Sequence, residues 1–188
     1  MGASTSWLAI KGKPRADALQ DLGLKIGDSP QEANETGLQG SDFPEGWYVV
    51  AAAGYEHPLT DDAVLKKLSV GCDVVSGGAE THVMSSVASG WRDGRRVWYV
   101  RYDSDNRPDG LVAEGDLPPS FAGIRADLEA AQEAEGEDAG VDYIFDAPAE
   151  LSHALTGYHY DEPSPGEDWH SLVPQVPGPQ WLGRLFNR

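Results

Sequence analysis

One segment decides the fold of this chain, and it reads Trp91-Arg92-Asp93-Gly94-Arg95-Arg96-Val97-Trp98-Tyr99-Val100-Arg101-Tyr102. An Asp-Gly pair between two alternating runs is the strongest short-range signal for a tight β-hairpin, because a type I′ turn needs positive φ at both central residues. We therefore predict two antiparallel strands joined at Asp93–Gly94. With a two-residue loop, Trp91 pairs with Arg96 and Ser89 pairs with Trp98, which places both indoles on one inward face.

The segments around this hairpin alternate between strand and helix signals. Runs of apolar and β-branched residues predict strands at 6–10, 47–51, 72–76, 81–90, 95–103 and 111–114. Apolar residues at three- and four-residue spacing predict helices after Pro14, Thr60, Pro119 and Pro148. The later strands are too closely spaced for helical crossovers. We therefore predict an α+β fold: a single, mostly antiparallel sheet with helices packed on one face.

Two segments depart from this pattern. Residues 25–45 are rich in Gly, Ser, Asn and acidic residues, which predicts a long exposed loop. Residues 161–180 are rich in proline, which predicts neither a central strand nor a continuous helix. We therefore divide the chain into an α+β domain, 1–160, and a Pro-rich C-terminal tail, 161–188. Trp181 and Phe186 make the end of the tail apolar, and we expect it to dock on the domain or on a partner protein.

The composition limits the function classes. The 188 residues carry 31 Asp and Glu against 14 Lys and Arg, a formal net charge of -17. This field repels phosphate backbones, so we expect no nucleic acid, and it favours basic partners or cations. No apolar run is long enough to cross a bilayer, and the N-terminus lacks the pattern of a signal peptide. We expect a soluble cytoplasmic protein with one hydrophobic core, and its oligomeric state stays open.

Few residues carry a chemical signature. Glu80 and His82 are two apart, so that the carboxylate could orient the imidazole for general-base catalysis. No nucleophile in a recognised context accompanies them, and the lone Cys72 fits a small buried apolar residue. The spacing of His153 and His159 is not that of a zinc site, and Gly77-Gly78 suits a turn or bulge better than a phosphate loop. We therefore predict no metal and no cofactor.

A basic cluster lies on the hairpin of this acidic chain. Its arginines are Arg92, Arg95, Arg96, Arg101 and Arg107. Together with Trp91, which could stack on a guanidinium, they could bind an anion or an acidic partner. The alternative, which we favour, is that they pair with the chain's own carboxylates.

The chain resembles a family of small acidic bacterial proteins with no assigned function. The resemblance lies in the stretches 2–9, 46–48, 80–84, 91–98, 142–146 and 155–157. It implies a bacterial cytosolic protein and brings no catalytic residue with it.

Two hypotheses for the function remain. The first is a non-enzymatic protein-interaction module that binds a basic partner, as an immunity protein binds a basic toxin. The second is a small-molecule-binding protein or enzyme whose pocket contains Trp47, Trp98, Tyr99, Glu80 and His82.

Overall fold

A computed structural model describes residues 2–29, 36–105, 110–136, 141–162 and 168–175. Its strands are β1 Ser4–Lys11, β2 Leu24–Ile26, β3 Leu38–Phe43, β4 Trp47–Ala53, β5 Asp73–Glu80, β6 Ser85–Arg92, β7 Arg95–Asp103, β8 Leu111–Gly115 and β9 His170–Pro174. Its α-helices are α1 Arg15–Leu22, α2 Asp62–Leu68, α3 Ser120–Glu135 and α4 Ala147–Thr156. The predicted α+β class is confirmed.

The strands form one open sheet in which each pair of neighbours is antiparallel. The order across the sheet is β2-β9-β3-β4-β1-β5-β6-β7-β8. β1 therefore lies in the middle, between β4 and β5, although it comes first in the chain. Because of this central position, β1 forms main-chain hydrogen bonds with a strand on each side.

The hairpin between β6 and β7 is confirmed, with φ of 49° at Asp93 and 74° at Gly94. Trp91 pairs with Arg96 as predicted, but a β-bulge follows and Trp98 pairs with Gly90 instead of Ser89. The prediction of a common inward face for the two indoles is therefore wrong. One extra residue in β7 turns Trp98 to the opposite side of the sheet from Trp91.

The sheet is buried on both sides, and we name the sides by their residues. The front face carries Leu8 and Val74, and its apolar core includes side chains from α1 and α2. The back face carries Trp7 and Val75, and its core includes Phe121 of α3 and side chains of α4. The helices thus pack on two faces and not on one, because consecutive residues of β1 and β5 are buried in opposite directions.

Local sequence explains where the helices end. α1 stops before Gly23, which adopts a left-handed conformation with φ of 68°. α4 begins with a proline in its first turn and stops before Gly157, which has φ of 78°. These boundaries agree with the helices predicted after Pro14 and Pro148.

Three predictions about the backbone are wrong. Residues 25–45 include most of β2 and all of β3, so this segment is not simply an exposed loop. Gly77 and Gly78 lie in the middle of β5 and not in a turn. His170–Pro174, in the Pro-rich segment, forms a strand between β2 and β3 with Leu172 fully buried. The division into a domain and a tail otherwise stays a prediction, since residues 176–188 lie outside the described part of the chain.

Candidate functional site

A cleft of about 320 Å³ opens on the front face beside the start of α2. Its lining combines small residues of the sheet, two tyrosines and three carboxylates: Ser6, Tyr55, Glu56, Thr60, Asp61, Asp62, Leu65, Ser76, Gly77, Gly78, Val87, Ser89 and Tyr99. We call it the tyrosine cleft. It occupies the part of the front face over β5 and β6, next to the apolar core that α1 and α2 cover.

Small residues make the floor of the tyrosine cleft. Ser76 and Gly78 of β5 and Ser89 of β6 point to the front, where larger side chains would fill the space. A Cβ at Gly78 would lie 3.2 Å from the ring of Tyr55. The glycine therefore lets the phenol lie close to the strand.

The serines of β1 hold Tyr55 in place. The main-chain N–H of Tyr55 donates to Ser4 Oγ at 3.1 Å, and the N–H of His57 donates to Ser6 Oγ at 3.1 Å. The Tyr55 hydroxyl lies 3.0 Å from Ser85 Oγ. Hydrogen bonds thus hold both the main chain and the hydroxyl group of Tyr55. Burial raises the pKa of this hydroxyl. Tyr55 is therefore a neutral, positioned wall of the cleft.

The charges of the cleft have opposite signs on its two sides. Asp61 and Asp62 lie at the start of α2, where carboxylates interact well with the helix dipole. On the hairpin side, the guanidinium of Arg96 lies 4.7 Å from the centre of the Tyr99 ring and 3.6 Å from Asp62. Among the described residues, the lining contains Glu56, Asp61 and Asp62 but no Lys or Arg, although Arg96 and Arg101 lie next to it against Tyr99. Glu56 and Asp61 have no ion pair among the described residues, and these two carboxylates favour a cation in the interior.

Most of the hairpin arginines pair with carboxylates of the chain. Arg92 pairs with Asp73, and Arg101 donates to Asp103 at 3.1 Å. Arg96 pairs with Asp62, whereas Arg95 is exposed and has no ion pair among the described residues. Internal pairing, the alternative favoured from the sequence, therefore describes Arg92, Arg96 and Arg101. Arg107 lies outside the described residues.

Trp91 is not placed to contact a partner. Its side chain is 6% exposed in the front-face core, and its Nε1 donates to Ser89 Oγ at 2.9 Å. Stacking of this indole on an arginine of another molecule would require the core to open. Trp181 and Phe186, the other aromatic residues proposed for binding, lie outside the described residues.

Glu80 and His82 are close together at the end of β5. Glu80 Oε1 lies 2.7 Å from His82 Nδ1 and accepts the His82 main-chain N–H at 3.1 Å. Hydrogen bonds from Ser4 and His82 lower the pKa of Glu80 to about 2. The His82 side chain is 67% exposed, and a Cβ at Gly2 would lie 2.8 Å from its Nε2, so the glycine lets the ring lie close to the start of the first strand. The pair is therefore suited to fixing the turn and the first strand.

The pocket that the second hypothesis requires is divided in the structure. Trp47 and Trp98 belong to the back-face core, whereas Tyr99 lines the tyrosine cleft on the front. Glu80 and His82 lie outside the lining of the tyrosine cleft. The bulge in β7 separates Trp98 from the hairpin residues that face forward, so the five residues do not form one site.

The histidines near α4 approach one another without forming a metal centre. The rings of His153 and His159 are 5.6 Å apart, with Glu150 about 4 Å from each. Within the described ranges no group of three or more His, Cys, Asp or Glu side chains is placed to hold a metal ion. His159 Nδ1 accepts the main-chain N–H of Asp161 at 3.3 Å, which occupies that nitrogen.

No protein-family model matches this chain. No solved structure matches it either. The resemblance to small acidic bacterial proteins thus stays a prediction. None of the helices that the structure describes is long and apolar enough to span a membrane.

Most of the tyrosine cleft could not be predicted from the sequence. Tyr55 and the acidic residues at 56, 61 and 62 lie in a loop and a helix start, where their types are common. The available signal was the run of small residues Ser76-Gly77-Gly78 in an apolar strand, because glycine within a strand marks a close approach of another group.

Proposed function

We propose that the protein is a non-enzymatic interaction module that binds a basic protein and receives one of its cationic side chains in the tyrosine cleft. The observation that supports this proposal most is the composition of the cleft, in which three carboxylates and two phenols surround a floor of small residues. An inhibitor that shields a bacterium from a basic toxin is one concrete form of this function.

The surface charge supports a basic partner. Among the residues that the structure describes, seven Lys or Arg side chains form ion pairs with carboxylates: Lys11, Lys13, Arg15, Arg92, Arg96, Arg101 and Arg125. Acidic residues outnumber basic ones 31 to 14 in the sequence, so a large negative charge is left unbalanced. The field around the protein therefore attracts cations and speeds their association.

The chemistry of the tyrosine cleft supports a guanidinium or ammonium group as the inserted part. Phenol faces attract cations, and carboxylates form charge-assisted hydrogen bonds with them. Arg96 stacking on Tyr99 and pairing with Asp62 shows the same chemistry within the chain. A cleft of about 320 Å³ has room for one such side chain.

The non-enzymatic part of the proposal rests on Glu80 and His82. They contact the first strand and the turn of their own chain and lie outside the lining of the tyrosine cleft. A substrate in that cleft would therefore not contact them. The cytoplasmic and bacterial setting belongs to this proposal as an expectation from the sequence.

The test uses N-acetylarginine methylamide as the probe, followed by the main-chain amide resonances of the protein. We expect shifts at Gly78 and Ser89 that reach saturation. The isosteric but uncharged N-acetylcitrulline methylamide should bind at least about tenfold more weakly, as the loss of a charge-assisted contact implies. Equal binding of the two probes, or shifts outside the cleft, would contradict the proposal.

A triple variant, Glu56→Gln, Asp61→Asn and Asp62→Asn, tests the same site from the protein side. We expect it to lose binding of the arginine probe and of any basic protein that the wild type retains at low ionic strength. The matched control, Asp127→Asn, Glu129→Gln and Glu133→Gln on α3, removes the same number of charges away from the cleft. Similar losses in both variants would mean that net charge, and not the cleft, explains binding.

A further inference from the structure

A second cleft, of about 290 Å³, opens on the back face at the opposite end of the sheet from Glu80. It is lined by Trp47, Asp73, Val74, Val75, Gly90, Trp91, Arg92, Val97, Trp98, Asp116, Pro118 and Leu155. We call it the tryptophan cleft. We infer that it binds a small organic cation with a flat apolar body, such as an arylalkylamine. This site is independent of the proposed function, because it shares no lining residue with the tyrosine cleft.

The β-bulge builds the floor of the tryptophan cleft. Because Val97 is the extra residue in β7, Trp98 turns to the back and lies against Gly90, where a Cβ would come within 2.0 Å of its indole nitrogen. At the other side of β7, a Cβ at Gly115 would lie 2.2 Å from the Val97 carbonyl oxygen. Two glycines thus accommodate the bulge, and bulges of this kind often re-aim side chains beside functional sites.

The walls of the cleft are apolar. Val75 and Trp98 come from the sheet, Leu155 comes from the end of α4, and Pro118 comes from the segment before α3. The same helices close the rest of the back face over Trp7 and Phe145. Among the described residues, this cleft is a gap in an otherwise packed face, and a concave apolar surface of this size is typical of a ligand site.

The charged residues at the rim of the cleft determine which ligand charge is favoured. Asp73 is paired with Arg92, whereas Asp116 is exposed and has no ion pair among the residues that the structure describes. A carboxylate beside indole rings attracts an organic cation, since both interactions favour positive charge. The ammonium of Lys11 already lies 5.4 Å from the centre of the Trp47 ring. The cleft therefore favours an amine over a carboxylic acid of the same shape.

The experiment compares tryptamine with indole-3-propionate, which carries the same ring and the opposite charge. Binding is measured by calorimetry, and its place is read from the amide resonances of Gly90 and Val97. We expect tryptamine to bind at least about tenfold more tightly than the acid. Equal affinities, absence of binding by both compounds at millimolar concentration, or shifts confined to Gly78 and Ser89 would each overturn the inference.

Two variants separate the apolar and charged parts of the site. Leu155→Trp should fill the cleft and abolish binding, whereas Asp116→Asn should weaken tryptamine about three- to tenfold and leave indole-3-propionate unchanged or improved. Asp127→Asn on α3 is the matched charge control and should change neither affinity. Thermal unfolding establishes that each variant is folded. The inference fails if both cleft variants bind tryptamine as the wild type does.

Discussion

The two faces of the sheet differ in what their adjacent glycines allow. Gly77 faces the back, where a Cβ would lie 2.3 Å from the ring of the buried Trp7, and Gly78 faces the front, where the nearest ring belongs to the half-buried Tyr55. One glycine accommodates a packed indole and the other accommodates the wall of an open cleft. At Gly77 the back face is tightly packed around Trp7, whereas at Gly78 the front face leaves room for a ligand.

Truncation of the two aromatic residues should give the largest contrast. Trp7 is 1% exposed, and its Nε1 donates to Ser152 Oγ at 2.8 Å. We expect Trp7→Ala to lower the free energy of unfolding by about 3–5 kcal/mol, because it leaves a cavity and an unpaired hydroxyl. Tyr55→Ala should cost about 1 kcal/mol, since its ring is half exposed. Urea unfolding followed by circular dichroism measures both values, and similar costs would contradict the comparison.

The adjacent glycines give the next contrast. We expect Gly77→Ala to cost about 2–3 kcal/mol, because a buried indole has little space to move. Gly78→Ala should cost about 1 kcal/mol, since the added Cβ would lie 3.2 Å from the half-buried Tyr55 ring and 3.3 Å from the Thr5 carbonyl oxygen, and it should weaken binding in the tyrosine cleft. The same unfolding experiment checks the pair. A larger cost at Gly78 than at Gly77 would show that the front face is the more tightly packed.

The hairpin of β6 and β7 contributes side chains to both faces, so a change in its turn should affect the stability of the whole protein and not of one face. Gly94 has φ of +74°, and Gly94→Ala should cost about 1 kcal/mol. Gly123 lies in α3, where a Cβ meets nothing within 4 Å, and Gly123→Ala should stabilise the protein by about 0.5–1 kcal/mol. Two changes of the same kind thus have opposite signs. An unfolding midpoint that stays the same or rises for Gly94→Ala would contradict this account of the turn, and one that falls for Gly123→Ala would contradict the expectation for the helix.

The last expected effect depends on pH and concerns a carboxyl group under the back face. Burial, followed by the nearby Glu150, Asp161 and Asp142, raises the pKa of Asp146 from 3.8 to about 6. Because the folded protein holds this proton more tightly than the unfolded chain, stability falls as the pH rises from about 4 to 6. Asp146→Asn should remove that slope and add about 1 kcal/mol at pH 8, a value reduced for solvent screening.

Unfolding at several pH values measures this effect. Asp127→Asn, on the exposed side of α3, is the control and should leave the slope unchanged. If Asp146→Asn stabilised the protein equally at pH 3 and pH 8, titration of Asp146 would not be the cause.

Local signals in the sequence predicted the elements that depend on neighbouring residues. The turn at Asp93–Gly94, the end of α1 at Gly23 and the start of α4 near Pro148 were all found in this way. β9 was missed because its strand character comes from pairing with β2 and β3, which are distant in the chain. Composition alone cannot indicate such long-range pairing, particularly beside prolines.

The sites were harder to predict than the fold for a related reason. A one-residue bulge in β7 changes the face on which Trp98 lies, and nothing in the alternation of that strand indicates it. Gly90 was the signal that could have suggested a close approach by an indole. The tyrosine cleft depends on a loop that Ser4 and Ser6 hold in place, and such hydrogen bonds are visible only in three dimensions.

A crystal structure of the protein soaked with N-acetylarginine methylamide tests the central claim most directly. We predict a guanidinium in the tyrosine cleft, between the phenols of Tyr55 and Tyr99 and within hydrogen-bond distance of Asp61 or Glu56. A guanidinium bound elsewhere on the acidic surface, with the cleft unchanged, would contradict the claim that the open part of the front face is the binding site.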